Sequence, residues 1–270
     1  MNKQLQDVLL LATSHNVTKA YVAKLHQAGL RPANILLLSW EQDTRREEVR
    51  FDTEPLFELW DDIRLSLLEA EVYSTDLTRP AREVLNEIGW SYKEKTITDI
   101  NDPSLVNYLC KDLSEKHIIF CGGGILRKPM LNCGKQFIHI HPGVIPDMRG
   151  ADCLLWSALV KNEIGMSAFF MNEGIDTGNI ITTRTFDIPG FDSDITSFPP
   201  SVIKEVLVNH VDPHYRAEML APLFKNAQDP SNWGTVPQQN DEGKTYYFMH
   251  DALLPQALEK FFKPQKRKVG

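Results

Sequence analysis

Short apolar runs alternate with amphipathic stretches through the first two-thirds of the chain. A brief apolar run bounded by turn residues predicts a buried strand, and an apolar repeat at helical spacing predicts a helix. On that basis Val8–Thr13 is a first buried strand, and Lys19–Ala28 is a helix stopped by Gly29 ahead of Pro32. Asn34–Ser39 is a second strand, Glu71–Ser74 a short one, and Tyr92–Ile97 another. Arg79–Ile88 reads as a helix ending at Gly89, and Pro103–Ser114 as a helix behind an Asp at the cap position. The strand His117–Cys121 runs into Gly122-Gly123-Gly124, and the strand Gln136–His141 ends at Pro142-Gly143. Cys153–Lys161 is a helix, and Met166–Met171 and Asn179–Ile188 are two strands joined by a turn holding Gly174 and Gly178. The stretch Arg45–Asp62 is charged and irregular, and its pattern assigns no element.

This alternation predicts an α/β, Rossmann-like fold: a mostly parallel sheet with helices on both faces. In such sheets ligands sit outside the carboxyl ends of the strands. The character changes after Pro189. Pro199-Pro200 interrupts the chain, Val202–Val208 and Ala217–Phe224 read as short helices, Trp233–Tyr247 as a polar loop, and Leu253–Phe262 as a last amphipathic helix. The expected division is an α/β domain over 1–189 and a small, mainly helical C-terminal subdomain over 190–270.

Composition narrows the function classes. The longest apolar runs fall far short of the ~20 residues of a membrane span, and the N-terminus lacks a convincing signal-peptide cleavage site. The formal net charge of −7 disfavours a general nucleic-acid binder. The basic stretch Lys260–Lys268 reads as a solvated terminus. The four cysteines, Cys110, Cys121, Cys133 and Cys153, have no C-x-x-C spacing. Reduced thiols in a cytoplasmic protein fit them best.

The densest chemistry lies between residues 137 and 180. His139 and His141 are two apart on a strand and point the same way. The loop with Pro142, Gly143, Pro146 and Gly150 is suited to cover their pocket. The turn Glu173-Gly174-Ile175-Asp176-Thr177-Gly178 sets a carboxylate between glycines, where backbone can approach a ligand closely. Each residue also has an ordinary reading, the histidines as structural residues at a strand end and Asp176 as a turn residue. An H-x-H pair also suits a metal, but Asp147, Asp152 and Asp176 lack ligand spacing, so no metal is expected.

Taken together in order and spacing, His141-Pro142, Val144-Ile145-Pro146, Arg149-Gly150-Ala151 and Gly174-Ile175-Asp176-Thr177-Gly178 resemble the signature of the folate-dependent formyltransferases. The clear resemblance covers about residues 117–188. It implies an enzyme that moves a formyl group from formyl-tetrahydrofolate to an amine. His141 would be the general acid/base, Asp176 would orient it, and residue 139 would bind the oxyanion. The family carries Asn at that last position, and this chain carries His139. A ring N–H can donate the same bond, but its availability depends on tautomer and pH.

The resemblance also places the folate pterin against Gly123, Gly124, Ile125 and Leu126 and the backbone of Glu173, Gly174 and Ile175, and the acceptor near Ser14, Arg149, Gly150 and Tyr246. The loop Thr13-Ser14-His15-Asn16 has no glycine-rich phosphate cradle, which argues against a ribotide acceptor. Ser14, Asn16 and Thr18 also suit capping of the following helix. The tRNA-modifying relatives carry a further basic domain, so the acceptor expected here is a small amine, such as an amino sugar on a nucleotide, with no nucleic-acid and no membrane partner. The apolar pieces of the tail are available for a homodimer contact. A formyl-folate hydrolase, with water as acceptor, is the second reading. A folate- or partner-binding relative without turnover is the third, kept open by His139.

Overall fold

The computed structural model of the chain describes residues 2–41, 51, 53–239 and 242–263. Its centre is a seven-stranded sheet in the order β3-β2-β1-β4-β5-β7-β8. The strands are β1 (Lys3–Ala12), β2 (Leu30–Trp40), β3 (Lys93–Ile97), β4 (His117–Phe120), β5 (Gln136–His141), β7 (Ile164–Phe170) and β8 (Ile180–Phe186). The first five run parallel, while β7 is antiparallel to β5 and β8 to β7. A two-residue β6 (Arg149–Gly150) pairs separately with β9 (Thr245–Tyr246).

Side-chain alternation on the central strands makes two cores, one on each face. From β1, Val8, Leu10 and Ala12 enter the larger core, whereas Leu9 and Leu11 enter the smaller. The larger core is closed by α1 (Asn16–Gln27), α2 (Glu54–Glu69), α3 (Ala81–Ile88), α6 (Cys153–Lys161), α7 (Pro200–Val206), α8 (Asp212–Asn226) and α9 (Leu254–Glu259). The smaller is closed by α4 (Pro103–Lys111) and α5 (Lys128–Leu131). From β5, Ile138 and Ile140 enter the larger core and Phe137 the smaller. The period of two therefore puts His139 and His141 on the Phe137 face, at the carboxyl edge of the sheet.

Five expectations are corrected. Glu71–Ser74 is no strand: Val72 and Tyr73 donate their N–H groups to the Leu67 carbonyl, and Glu71 turns left-handed at φ 58°, so the run ends α2. The unassigned stretch Arg45–Asp62 enters α2 at Glu54, with Leu59, Trp60, Ile63 and Leu67 as its buried stripe; residues 42–50 and 52 lie outside the described residues. Val202–Val208 and Ala217–Phe224 belong to one helical run, α7 and α8 joined by a π turn over Leu207–Val211. Thr18 does not cap α1. Its hydroxyl accepts from Thr13 N at 3.1 Å, while Asn16 donates to the Asn209 carbonyl at 2.6 Å. Pro213, four residues further on, has no N–H to offer that carbonyl. Finally, the tail is anchored rather than solvated up to Lys263: Phe261 and Phe262 are buried, and Phe191 bridges to the backbone of Phe261 and Lys263. Residues 264–268 of that stretch lie outside the described residues. No described helix is long and apolar enough to cross a membrane.

Candidate active site

Two strand ends and two loops meet at His141. The imidazole is buried at the tip of β5, and its Nε2 lies 3.0 Å from the Met148 carbonyl. A carbonyl only accepts, so the ring proton is assigned to Nε2. Nδ1 then faces Asp176 Oδ2 at 3.5 Å. Burial and the nearby Arg216 push His141 below the ordinary imidazole value; Asp176 and the Met148 carbonyl oppose that shift.

Asp176 is held by main chain. Its Oδ2 accepts the Gly150 N–H at 2.8 Å, and its backbone is left-handed at φ 52°, a conformation Asp tolerates better than most residues. Gly178 is required two residues on, because a Cβ there would fall 1.7 Å from the Phe170 carbonyl oxygen. The turn is gripped from outside by Gln238, whose amide donates to the carbonyls of Asp176 at 3.0 Å and Gly178 at 2.6 Å.

His139 lies beside His141 between the rings of Phe120 and Phe169. Its Nδ1 is buried with no hydrogen-bond partner. Burial first, then Arg216 and His141, hold it well below the ordinary value, so it is a neutral ring.

The remaining expected residues divide. Gly123, Gly124 and Ile125 are exposed on the loop after β4, and Leu126 beneath them is buried. Glu173, Gly174 and Ile175 are exposed on the facing turn. That turn is tied to α5, which follows the glycine loop: Asn132 donates to Glu173 at 2.9 Å, and Lys128 lies 3.6 Å from Glu173. Ile125 and Ile175 keep 70% and 54% of their surface open. Ser14 is partly buried on the loop after β1. The Arg149 guanidinium is turned inward: Nε and Nη2 donate to Gln238 Oε1 and Nη1 to the Glu242 carbonyl. Through Gln238 it braces the Asp176 turn. The Gly150 N–H is taken by Asp176, and a Cβ at Gly150 would meet the Tyr246 carbonyl at 2.0 Å. The Tyr246 ring rests on Trp156.

Three residues that shape the site were not expected. Gln238 sits in an aperiodic loop and gives no sequence signal. Asp212 and Arg216 are an i, i+4 pair on α8, a legible spacing, but nothing in the sequence places the pair under β5. Among the described residues no group of three His, Cys, Asp or Glu is disposed to hold a metal.

Comparison with known proteins bears on this same region. A profile of the formyl transferase family matches residues 115–197. The chain is 28% identical over 161 residues to methionyl-tRNA formyltransferase of Citrifermentans bemidjiense, covering 51% of this chain and 50% of that protein. It is 31% identical over 96 residues to the protein of that name in Syntrophus aciditrophicus, covering 33% of this chain and 30% of that one. The chain thus spans about half, or less, of the length of these curated relatives. Among solved structures, a sugar N-formyltransferase from Shewanella superposes with a TM-score of 0.50 at 13% identity, over 94% of this chain and 87% of that one. An N-formyltransferase from Helicobacter canadensis, in complex with folinic acid and dTDP-3-aminofucose, superposes with a TM-score of 0.52 at 11% identity, over 94% and 80%. At that identity the likeness is one of fold. The match to the formyl transferase family model, residues 115–197, takes in the His141 strand tip, the Arg149–Gly150 loop and the Gly174–Gly178 turn.

Proposed function

We propose that this protein transfers a formyl group from formyl-tetrahydrofolate to a small amine, such as the amino group of a nucleotide-linked sugar. The observation that carries the reading is the buried His141–Asp176 contact at 3.5 Å, with Asp176 fixed by the Gly150 N–H at the mouth of the loop. Formyl-tetrahydrofolate supplies an activated one-carbon acyl group. The exposed backbone of Gly123–Ile125 and Glu173–Ile175, flanked by two open isoleucines, suits a flat ring with edge donors and acceptors.

The chain's own groups divide the work. The basic nitrogen of His141 is Nδ1, since Nε2 holds its proton against Met148. Taking the proton of the attacking amine turns it into a donor toward Asp176, and the neighbouring carboxylate favours that charged form. His139 serves the formyl oxygen when its proton lies on the nitrogen that faces it. The net charge of −7 favours a small acceptor over tRNA.

The test is incubation with formyl-tetrahydrofolate and a panel of amines, including amino-sugar nucleotides, read by mass spectrometry for the gain of one formyl group. Formate release without any amine would replace this reading with hydrolysis. Folate binding without turnover would replace it with a binding role.

A further inference from the structure

Helix α8 carries a charged pair that the chemistry above leaves unused. Arg216 Nε donates to Asp212 Oδ2 at 2.5 Å, one turn away, and Nη1 donates to the Ile140 carbonyl at 2.7 Å. Ile140 is the residue between His139 and His141, with its side chain in the core on the α8 side of the sheet. The guanidinium therefore grips, from behind, the peptide that carries both imidazoles. Asp212 is buried, and its Oδ1 has no partner. Burying such a pair costs desolvation, and an apolar pair of similar size is often as stable or more so. Its presence at this point of the strand calls for something besides packing.

We propose that Arg216 is a positioning residue of the site, fixing the β5 tip through the Ile140 carbonyl and setting a permanent positive charge behind the two histidines, with Asp212 tempering that charge. This rests on the formyl-transfer reading for its kinetic consequence only. The groups disposed around His141 are His139 on β5, Asp176 on its turn, Cys153 on α6, and Arg216 with Asp212 on α8. Arg216 disfavours the protonated form of both imidazoles, which keeps His141 ready to accept a proton at neutral pH.

The test compares Arg216→Gln, Arg216→Lys and Asp212→Asn in the full chain. Two quantities are read: the pH profile of kcat/KM, and the titration of the His139 and His141 ring nitrogens by NMR. Arg216→Gln is expected to move the acid limb up and to lower kcat by about 10-fold or more, with KM for the folate changed by less than about two-fold. Asp212→Asn leaves the guanidinium unopposed and moves the limb down. Arg216→Lys keeps the limb in place and recovers part of kcat. A purely structural pair would not displace the limb in opposite directions. The proposal is overturned if the two neutralising variants shift it the same way or not at all. Should Arg216→Gln fail to fold, an unmoved or rising limb in Asp212→Asn overturns it alone. If the wild type shows no turnover, opposite shifts in the NMR titrations uphold this inference while the formyl-transfer reading falls, and unmoved titrations defeat it.

Discussion

Gln238 ties Arg149 to the turn that carries Asp176. Its Oε1 accepts two N–H groups of the Arg149 guanidinium, and its amide donates to two carbonyls of the turn. Arg149 belongs to the same loop as Gly150, whose N–H holds the Asp176 carboxylate. Both grips on the acid therefore depend on one amide side chain from a distant loop.

Gln238→Leu is expected to leave the buried Arg149 without its main acceptor. The loss should be about 1–3 kcal/mol of stability, read by urea unfolding. It should also lower kcat more than it changes KM for the folate, because the turn loses its hold on Asp176. Wild-type kcat in the folded variant would show that the turn stands without this brace.

On the proposed function, the acid limb of the reaction follows from His141. A base must be neutral, and burial together with Arg216 holds this imidazole below the usual 6.5. Rates should be level through pH 7 and fall only on the acid side of 6.5. Asp176→Asn removes the group that favours the proton, so the limb should move further down while the maximal rate drops by about 100-fold or more. A limb at or above 6.5 in the wild type would contradict the site's electrostatics.

His139 offers a direct comparison. His139→Ala should cost about 100- to 1,000-fold in kcat if the ring donates to the formyl oxygen. His139→Asn restores the side chain expected from the family signature, one with an N–H donor whatever the pH, and should retain or raise kcat. If Ala and Asn variants lose activity equally, the ring is needed for its shape between Phe120 and Phe169.

Stability should itself depend on pH, through two buried histidines near α1. Burial lowers His210 to about 4 and His214 to about 3. The Nδ1 of His214 accepts the Ser74 N–H at 3.1 Å, so protonation there breaks a bond. Both folded values lie below the unfolded value near 6.5, so the unfolded chain binds more protons in between. Their contribution is complete above pH 6.5 and is lost as the pH falls toward 4, at up to about 1.4 kcal/mol per pH unit for each ring. Urea midpoints measured from pH 7.5 to 4.5 check this, and His210→Phe should flatten the slope.

Much of this was legible in the sequence, for identifiable reasons. Gln136–His141 and Cys153–Lys161 are found with their ends intact, since Pro-Gly or a polar residue closes each run. The same reading fails at Glu71–Ser74, where Val and Tyr suggest a strand but their N–H groups finish a helix. The contact of His141 with Asp176 follows from two motifs in the right order. Gln238 does not, because its partners lie 89 and 60 positions away and no local pattern encodes them. Arg216 is visible as a helix-spaced partner of Asp212, while its reach to the Ile140 carbonyl depends on how α8 lies across the sheet.

The β6–β9 ladder joins Arg149–Gly150 to a strand almost a hundred residues later. The carboxylate at position 176 therefore gains its full support only after the ribosome has made residues through Tyr246. During synthesis the sheet has its strands long before the site has its geometry, and a nascent chain halted before Gln238 would carry the motif without the order that makes it work.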